Sequence, residues 1–563
     1  VRFGIRQVTS ELTAQGYRLF KINGRNILIR GGGWAGDMLL RFDRKRLEDE
    51  FKLVRNLNLN TIRLEGKLDS EDLFNLADEQ GILIMAGWCC CDIWERWNQW
   101  GPEQRSVAEA SLRSQIYRLR NHASVYVFLN GSDMPPTAEV EKAYLGIEKE
   151  LNWPNPTVSS ASATPTAVSG PSGVKMTGPY DYVPPVYWET AMHHGGAFGY
   201  NTETSPGPAI PPARSLRRFL PADHLWPIDE YWNFHAGEGK FQQIDIFRDA
   251  FDHRYGPANS MEEFARKAQA ANYEAQRAMF EAYSRNKYTS TGVIQWMLNN
   301  AWPSIIWHLY DYYLTPAGGY FGSKKALEPV HVQYSYDDGS IAVVNSTYEL
   351  QENLRLTARV LDFDLSEKFR KETTVSVAPD GAMRVFRLPE IPGLSTTYFV
   401  QLELRNPAGT VLSRNFYWLS TKPEQMDFSK STFFHSPMTA YADMTQLNSL
   451  PPVKLDISAH SKRRGSETVV HVNIRNRMKA LAFLANFYLT QGDAGAEVAP
   501  ALWTDNYISL LPGENRELEV SYAAADTGGK PVRLHVEGWN VEEATITPSA
   551  ALTGLEASKR AAE

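Results

Sequence analysis

Cysteine is nearly absent from this chain: there are three, and they are neighbours, Cys89, Cys90 and Cys91. Adjacent cysteines cannot staple distant segments, so no disulfide framework holds the fold. Their spacing does not suit a metal site, and they read as buried thiols. Long apolar runs are also missing. None approaches the roughly 20 residues that span a bilayer, so no membrane partner is expected. Excess positive charge is absent as well: the formal net charge is -7, which does not suggest a nucleic-acid partner. No Gly-x-Gly-x-x-Gly turn follows the first candidate strand, which counts against an open doubly wound sheet. There is no signal peptide, but the chain starts at Val1 without a methionine, so that absence says little about compartment.

What is present is length, aromatic residues and a change of texture along the chain. Single cores rarely grow past about 250–300 residues, so 563 residues predict several domains. Tyr17–Gly24 reads as a strand and an Asn-Gly turn. Short apolar runs then alternate with helical segments. Eight of them are candidate strands: 27–31, 61–64, 82–87, 124–129, 157–161, 174–178, 197–200 and 293–298. Asp43, Ser70 and the Ser260/Glu263 capping box mark helix starts between them. Apolar strands alternating with helices predict a parallel sheet buried on both faces, here a (β/α)8 TIM barrel. Past Lys324 short alternating strands and turns predict two immunoglobulin-like β-sandwiches. The expected layout is a lead-in segment at 1–25, the barrel at 26–323, sandwiches at 324–425 and 450–545, and a disordered tail at 546–563. Residues 422–450 join the sandwiches and are polar and irregular.

Two acidic motifs stand at strand ends. Asn130-Gly131-Ser132-Asp133 follows the fourth candidate strand, and Asn201-Thr202-Glu203 ends the seventh. Active sites of such barrels lie at the carboxyl ends of the strands. Either acid alone could cap a helix. Two acids among Asn and aromatic residues on one barrel suit glycosidic bond cleavage, with one carboxyl as proton donor and the other as nucleophile. A separation of about 5–5.5 Å gives retention of configuration, and a wider gap admits water and gives inversion. No cofactor is required.

The chain resembles glycoside hydrolase family 2. Arg120-Asn121-His122-Ala123-Ser124 is similar to that family's Arg-Asn-His-Pro-Ser segment, with Ala123 in place of proline. Asn60-Thr61-Ile62-Arg63 matches its second-strand motif, and Phe3-Gly4-Ile5-Arg6, Asn23-Gly24 and Arg30-Gly31-Gly32 match its approach to the barrel. The resemblance implies that Asp133 is the acid/base and Glu203 the nucleophile, with Arg63 bracing a barrel carboxylate. It also implies secretion, and a sugar-binding jelly roll and a sandwich ahead of the barrel that this chain lacks. One departure matters: the usual motif ends Asn-Glu, and here it is Ser132-Asp133. That variant resembles the exo-β-D-glucosaminidase subgroup, as do Trp88-Cys89-Cys90-Cys91-Asp92 and Asn201–Pro208. Such enzymes remove glucosamine from the non-reducing end of chitosan, so the implied partner is a chitosan oligomer.

Glucosamine carries an ammonium where other sugars carry the 2-hydroxyl, and a cation favours carboxylates over an amide. Asp37 and Glu65, beyond the first and second strands, are the candidates to hold it, with Ser132 beside them. Trp34, Tyr180, Trp188 and Trp302 are candidate sugar platforms, against the plainer reading that each ring fills a core. His193 and His194 are too few for a metal site. Two alternatives stay open: a β-mannosidase or β-galactosidase of the same family, and a non-catalytic carbohydrate-binding protein.

Overall fold

The computed structural model describes residues 4–88, 90–237, 244–493 and 495–550. A three-stranded antiparallel sheet comes first: β1 (Val8–Leu12), β2 (Arg18–Ile22) and β3 (Arg25–Ile27). Asn23 and Gly24 turn between the last two at φ 51° and 77°, the left-handed pair that a two-residue hairpin needs. The ring of Phe20 on β2 meets Tyr126 at 4.9 Å and Tyr200 at 5.9 Å, both edge-on. It closes the floor of the barrel that follows.

Eight parallel strands form that barrel: β4 (Ile29–Gly33), β5 (Thr61–Arg63), β6 (Leu83–Gly87), β7 (Val125–Leu129), β8 (Thr157–Val158), β9 (Val174–Lys175), β10 (Gly199–Thr204) and β11 (Ser290–Gln295). Their order is β8-β7-β6-β5-β4-β11-β10-β9. The first strand of the set pairs with the last, Gly31 opposite Ile294, so the sheet curls onto itself. Among the described residues the ladder stops at β8 and β9. Each overlaps one of the eight segments predicted from apolar runs, although β8 and β9 are two residues long and β10 runs on to Thr204. Every residue of β7 is buried, which is why the sequence shows runs here and not alternation. Asp43 caps the helix Arg44–Asn56 by accepting from the Arg46 amide at 3.1 Å. Ser260 accepts from the Glu263 amide at 3.2 Å, but Glu263 reaches back to the amide of Asn259, not to that of the cap.

The barrel is fastened to the first sandwich through its buried 25-residue helix Met261–Arg285. Arg277 donates to Asn415 Oδ1 at 2.9 Å, and Glu281 pairs with His331 at 2.8 Å. The first sandwich has a three- and a four-stranded sheet, the second a five- and a four-stranded one. Two strands of the first, Ala382–Arg387 and Val411–Ser420, were not predicted. Asn415 is buried in contacts with the barrel helix, and this breaks the apolar alternation of the second of them. No helix among the described residues is long and apolar enough to cross a membrane.

Two expectations are corrected. Cys90 and Cys91 are joined by a disulfide between neighbours, and they are half-buried and exposed, respectively, not buried thiols. β6 ends at Gly87, and the chain then turns outward to the barrel mouth. Cys89 lies outside the described residues. The tail was expected to be disordered from 546, yet Ser549 and Ala550 pair in parallel with His460 and Ser461. Residues 551–563 lie outside the described residues.

Candidate active site

Glu203 is the next-to-last residue of β10, and its motif neighbours fix it. The Thr202 hydroxyl sits 2.7 Å from the Ala161 carbonyl oxygen and 3.1 Å from that of Lys175. It thereby bridges the side of the barrel where the ladder is open. The Thr204 hydroxyl donates to the Gly178 carbonyl at 2.8 Å. Glu203 itself is 5% exposed. One of its oxygens accepts from the guanidinium of Arg63, and the other from the Tyr180 hydroxyl at 2.7 Å.

Arg63 ends β5 and is 1% exposed. It donates to Glu65 Oε1 at 3.0 Å and to Ser132 Oγ at 2.9 Å, and the Ser132 hydroxyl donates in turn to Glu65. Trp296, just past β11, lies under the guanidinium at 5.1 Å. Gly33 leaves room for it, since a Cβ there would fall 2.4 Å from the Trp296 ring. One arginine thus ties the ends of β5, β7 and β10 together. Asp133, on the loop after β7, completes the cluster. Glu65, Asp133 and Glu203 each place a carboxylate oxygen within 4.8 Å of the other two. Burial raises the carboxyl of Glu203 above its ordinary range and the charge of Glu65 adds to this, while Arg63 and Tyr180 oppose both. Burial, then the charge of Glu203, pushes the Tyr180 phenol well up, so it stays protonated and donates.

The other predicted residues are placed differently. Tyr180 directs its hydroxyl at Glu203, and only 4% of the residue is exposed; it is a partner of the acid and not a platform. Trp188 is corrected outright: it is 0% exposed and packs edge-on against Tyr187 at 5.1 Å, so no sugar reaches it. One face of Trp302 is taken by His235, stacked at 4.9 Å. Asp37 is held by Arg41, which donates to it at 2.7 and 3.0 Å and keeps its carboxyl well below the usual range. It stands outside the Arg63 cluster. Trp34 donates to Asp69 at 2.8 Å and, with Asp37, lines a cavity of about 60 Å³.

Three contributors escaped the sequence reading. Trp296 was legible only as a position at the end of the eighth strand. Phe433 and Phe434 carried no signal, since they belong to the irregular segment between the sandwiches. The Phe434 carbonyl accepts from the amides of Tyr180 and Asp181 at 2.9 and 3.0 Å. Phe433 is 45% exposed as a residue, and its ring lies 5.3 Å from that of Tyr180. It offers the open aromatic face that Trp188 does not. Phe433→Ala is expected to raise KM by about 2- to 10-fold, the loss of one aromatic contact, with kcat nearly unchanged. Steady-state kinetics on a panel of nitrophenyl glycosides checks it, and an unchanged KM rules the platform out.

Residues 433–541 match the family described as Exo-beta-D-glucosaminidase Ig-fold domain, and residues 338–421 the Mannosidase Ig/CBM-like domain. The exo-β-D-glucosaminidase of Streptomyces avermitilis is 42% identical over 566 residues, covering 97% of this chain and 62% of its own length. The crystal structure of the Amycolatopsis orientalis exo-chitosanase superposes with a TM-score of 0.93 at 37% identity, covering 97% of this chain and 67% of that one. The chain belongs to the exo-β-D-glucosaminidase family. A variant of the A. orientalis enzyme in complex with PNP-β-D-glucosamine matches with the same TM-score of 0.93. This exo-β-D-glucosaminidase-family chain spans 62% of the length of the S. avermitilis relative and 55% of that of the curated A. orientalis one. The Ig-fold match begins at Phe433, so the segment that walls the site lies within the matched portion.

Proposed function

We propose that this chain carries the catalytic centre of a retaining exo-glycosidase, which removes β-linked D-glucosamine from the non-reducing end of chitosan or chito-oligosaccharides. The observation that carries the reading is the three-acid cluster, with oxygens of Glu65, Asp133 and Glu203 all within 4.8 Å. Such proximity of Asp133 and Glu203 favours direct attack over the gap of about 6.5–9.5 Å that an intervening water needs. In the first step Asp133 gives its proton to the glycosidic oxygen while a Glu203 oxygen bonds to the anomeric carbon, and the C–O bond to the leaving sugar breaks. In the second, Asp133 takes a proton from water, whose oxygen displaces Glu203.

The third acid supports the choice of sugar. Two carboxylates, Glu65 and Glu203, share the one Arg63 guanidinium, so a bound ammonium brings the positive charge the cluster is short of. Ser132 stands where the wider family has an amide, and its hydroxyl is engaged with Glu65 and Arg63. Glu65 thereby faces the site as the acceptor for the 2-ammonium.

The test is digestion of chitosan oligomers by the intact protein, followed by NMR. Glucosamine monomer is expected from the earliest time points, released as the β-anomer before mutarotation. Release of longer fragments first would overturn exo action, and the α-anomer would overturn retention. Cleavage of nitrophenyl mannoside or galactoside without cleavage of the glucosaminide would move the assignment to another sugar.

A further inference from the structure

An aspartate as acid/base is one methylene shorter than a glutamate, so its reach depends on where the main chain holds it. The loop that bears Asp133 is folded tightly: a Cβ on Gly131 would fall 2.2 Å from the Met134 carbonyl oxygen. The amides on both sides of Asp133 are spent on one atom. Ser132 N and Met134 N donate to Glu95 Oε1 at 2.8 and 3.3 Å. The other oxygen of the same carboxylate accepts from Cys91 N at 3.1 Å, and Cys91 Sγ lies 3.8 Å from Asp133 Oδ2. One side chain therefore holds the main chain of the residues before and after the acid, together with the segment that touches its carboxyl.

Glu95 is itself well anchored. It ends the short helical turn Ile93–Glu95, which Asp92 caps by accepting from Trp94 N at 2.8 Å. The Trp100 indole donates to the Ile93 carbonyl at 2.7 Å, and the Trp94 ring meets that of Trp100 edge-on at 5.7 Å. An acid with three amide donors and a rigid mount is a positioning device.

We propose that Glu95 is the positioning residue of the acid/base: it sets the distance from the Asp133 carboxyl to the glycosidic oxygen. The inference rests on the hydrolytic reading above. It separates proton donation from the rest of catalysis, and this is what makes it testable. The 4-oxygen of the glucosamine released from chitobiose is a poor leaving group as an alkoxide and needs the proton from Asp133. Dinitrophenolate leaves without one, so kcat/KM for a 2,4-dinitrophenyl β-D-glucosaminide does not depend on the acid in the bond-breaking step.

The experiment compares kcat/KM of the intact protein and of Glu95→Gln on both substrates. Glutamine offers one acceptor where three amides converge, so the loop shifts. The chitobiose value is expected to fall by about 100-fold, the loss that a misplacement of about 1 Å brings, while the dinitrophenyl value changes by less than about threefold. Glu95→Asp, which keeps the charge and shortens the reach, shows the same split to a smaller degree and serves if the first variant folds poorly. Equal losses on both substrates, or none on chitobiose, overturn the proposal. If the unsubstituted protein cleaves neither substrate, the functional reading fails and this inference falls with it. An active parent whose variants lose both substrates alike defeats the inference alone.

Discussion

Glu203→Ala is expected to lower kcat on a glucosaminide by about 10⁵-fold, the order seen when a covalent nucleophile is removed. That corresponds to about 7 kcal/mol of lost transition-state stabilisation. Alanine is the better replacement here. A glutamine would offer its carbonyl oxygen to Arg63 but turn its NH2 toward the Tyr180 hydroxyl, which now donates to Glu203, and it would fill the space that an added anion needs. With alanine, Arg63 keeps Glu65 at 3.0 Å, so the buried cation retains a partner and the strongly destabilising case of an unpaired buried charge is avoided. Added azide makes the result diagnostic. In Glu203→Ala the anion occupies the vacated space and attacks from that side, so the product is the α-glycosyl azide. In Asp133→Ala, with an activated leaving group, azide attacks the glycosyl-enzyme from the opposite face and gives the β-azide. Chromatography and NMR of the products distinguish the two. Turnover of Glu203→Ala within about tenfold of the parent, or a β-azide from it, would remove Glu203 from the role of nucleophile.

How far the site could be read from residues alone follows from what each residue depends on. Asp133 and Glu203 depend on strand ends, and barrel strands announce themselves as apolar runs because both faces are buried. Arg63 depends on the same rule, as a charged residue ending a strand with no solvent to point to. The aromatic residues do not follow it. Tyr180 and Trp188 sit eight positions apart in the connection between β9 and β10, yet the first aims its hydroxyl at Glu203 and the second is sealed against Tyr187. Side-chain direction within a loop is set by tertiary packing, which local sequence does not encode. Phe433 depends on a contact between the linker and the barrel, made through the Phe434 carbonyl and the Tyr180 ring, and a pairing of segments so far apart in the chain leaves no local signal in the sequence. The cysteines misled because the spacing rule for structural disulfides says nothing about a bond between neighbours on an outward turn.

Glu65→Gln carries the second large effect, and it discriminates between substrates. The Glu65 side chain is 10% exposed, so a 2-ammonium placed against it is a nearly buried ion pair. Removing one partner of such a pair costs about 3–5 kcal/mol, or roughly 10³-fold in kcat/KM. That loss is expected for the glucosaminide. The corresponding β-glucoside, with a neutral 2-hydroxyl, has no charge to lose and is expected to hold its rate or gain. The sign of the gain follows from Glu203. Its carboxyl is raised first by burial and then by the charge of Glu65. Taking that charge away lowers it again, so more of the nucleophile is ionised at a given pH. The acid limb of kcat/KM on the glucoside then moves to lower pH in the variant. On the proposed substrate the ammonium is expected to give the parent the same benefit: a cation beside Glu65 offsets the repulsion felt by Glu203, so binding of a glucosaminide would favour the ionised carboxylate. A neutral sugar cannot do this, so under the proposed function selectivity for the amine is expected to act on the chemical step as well as on binding. Paired pH profiles of parent and variant on both nitrophenyl substrates check the argument. If glucosaminide and glucoside fall together, Glu65 supports the fold of the site and does not choose the sugar.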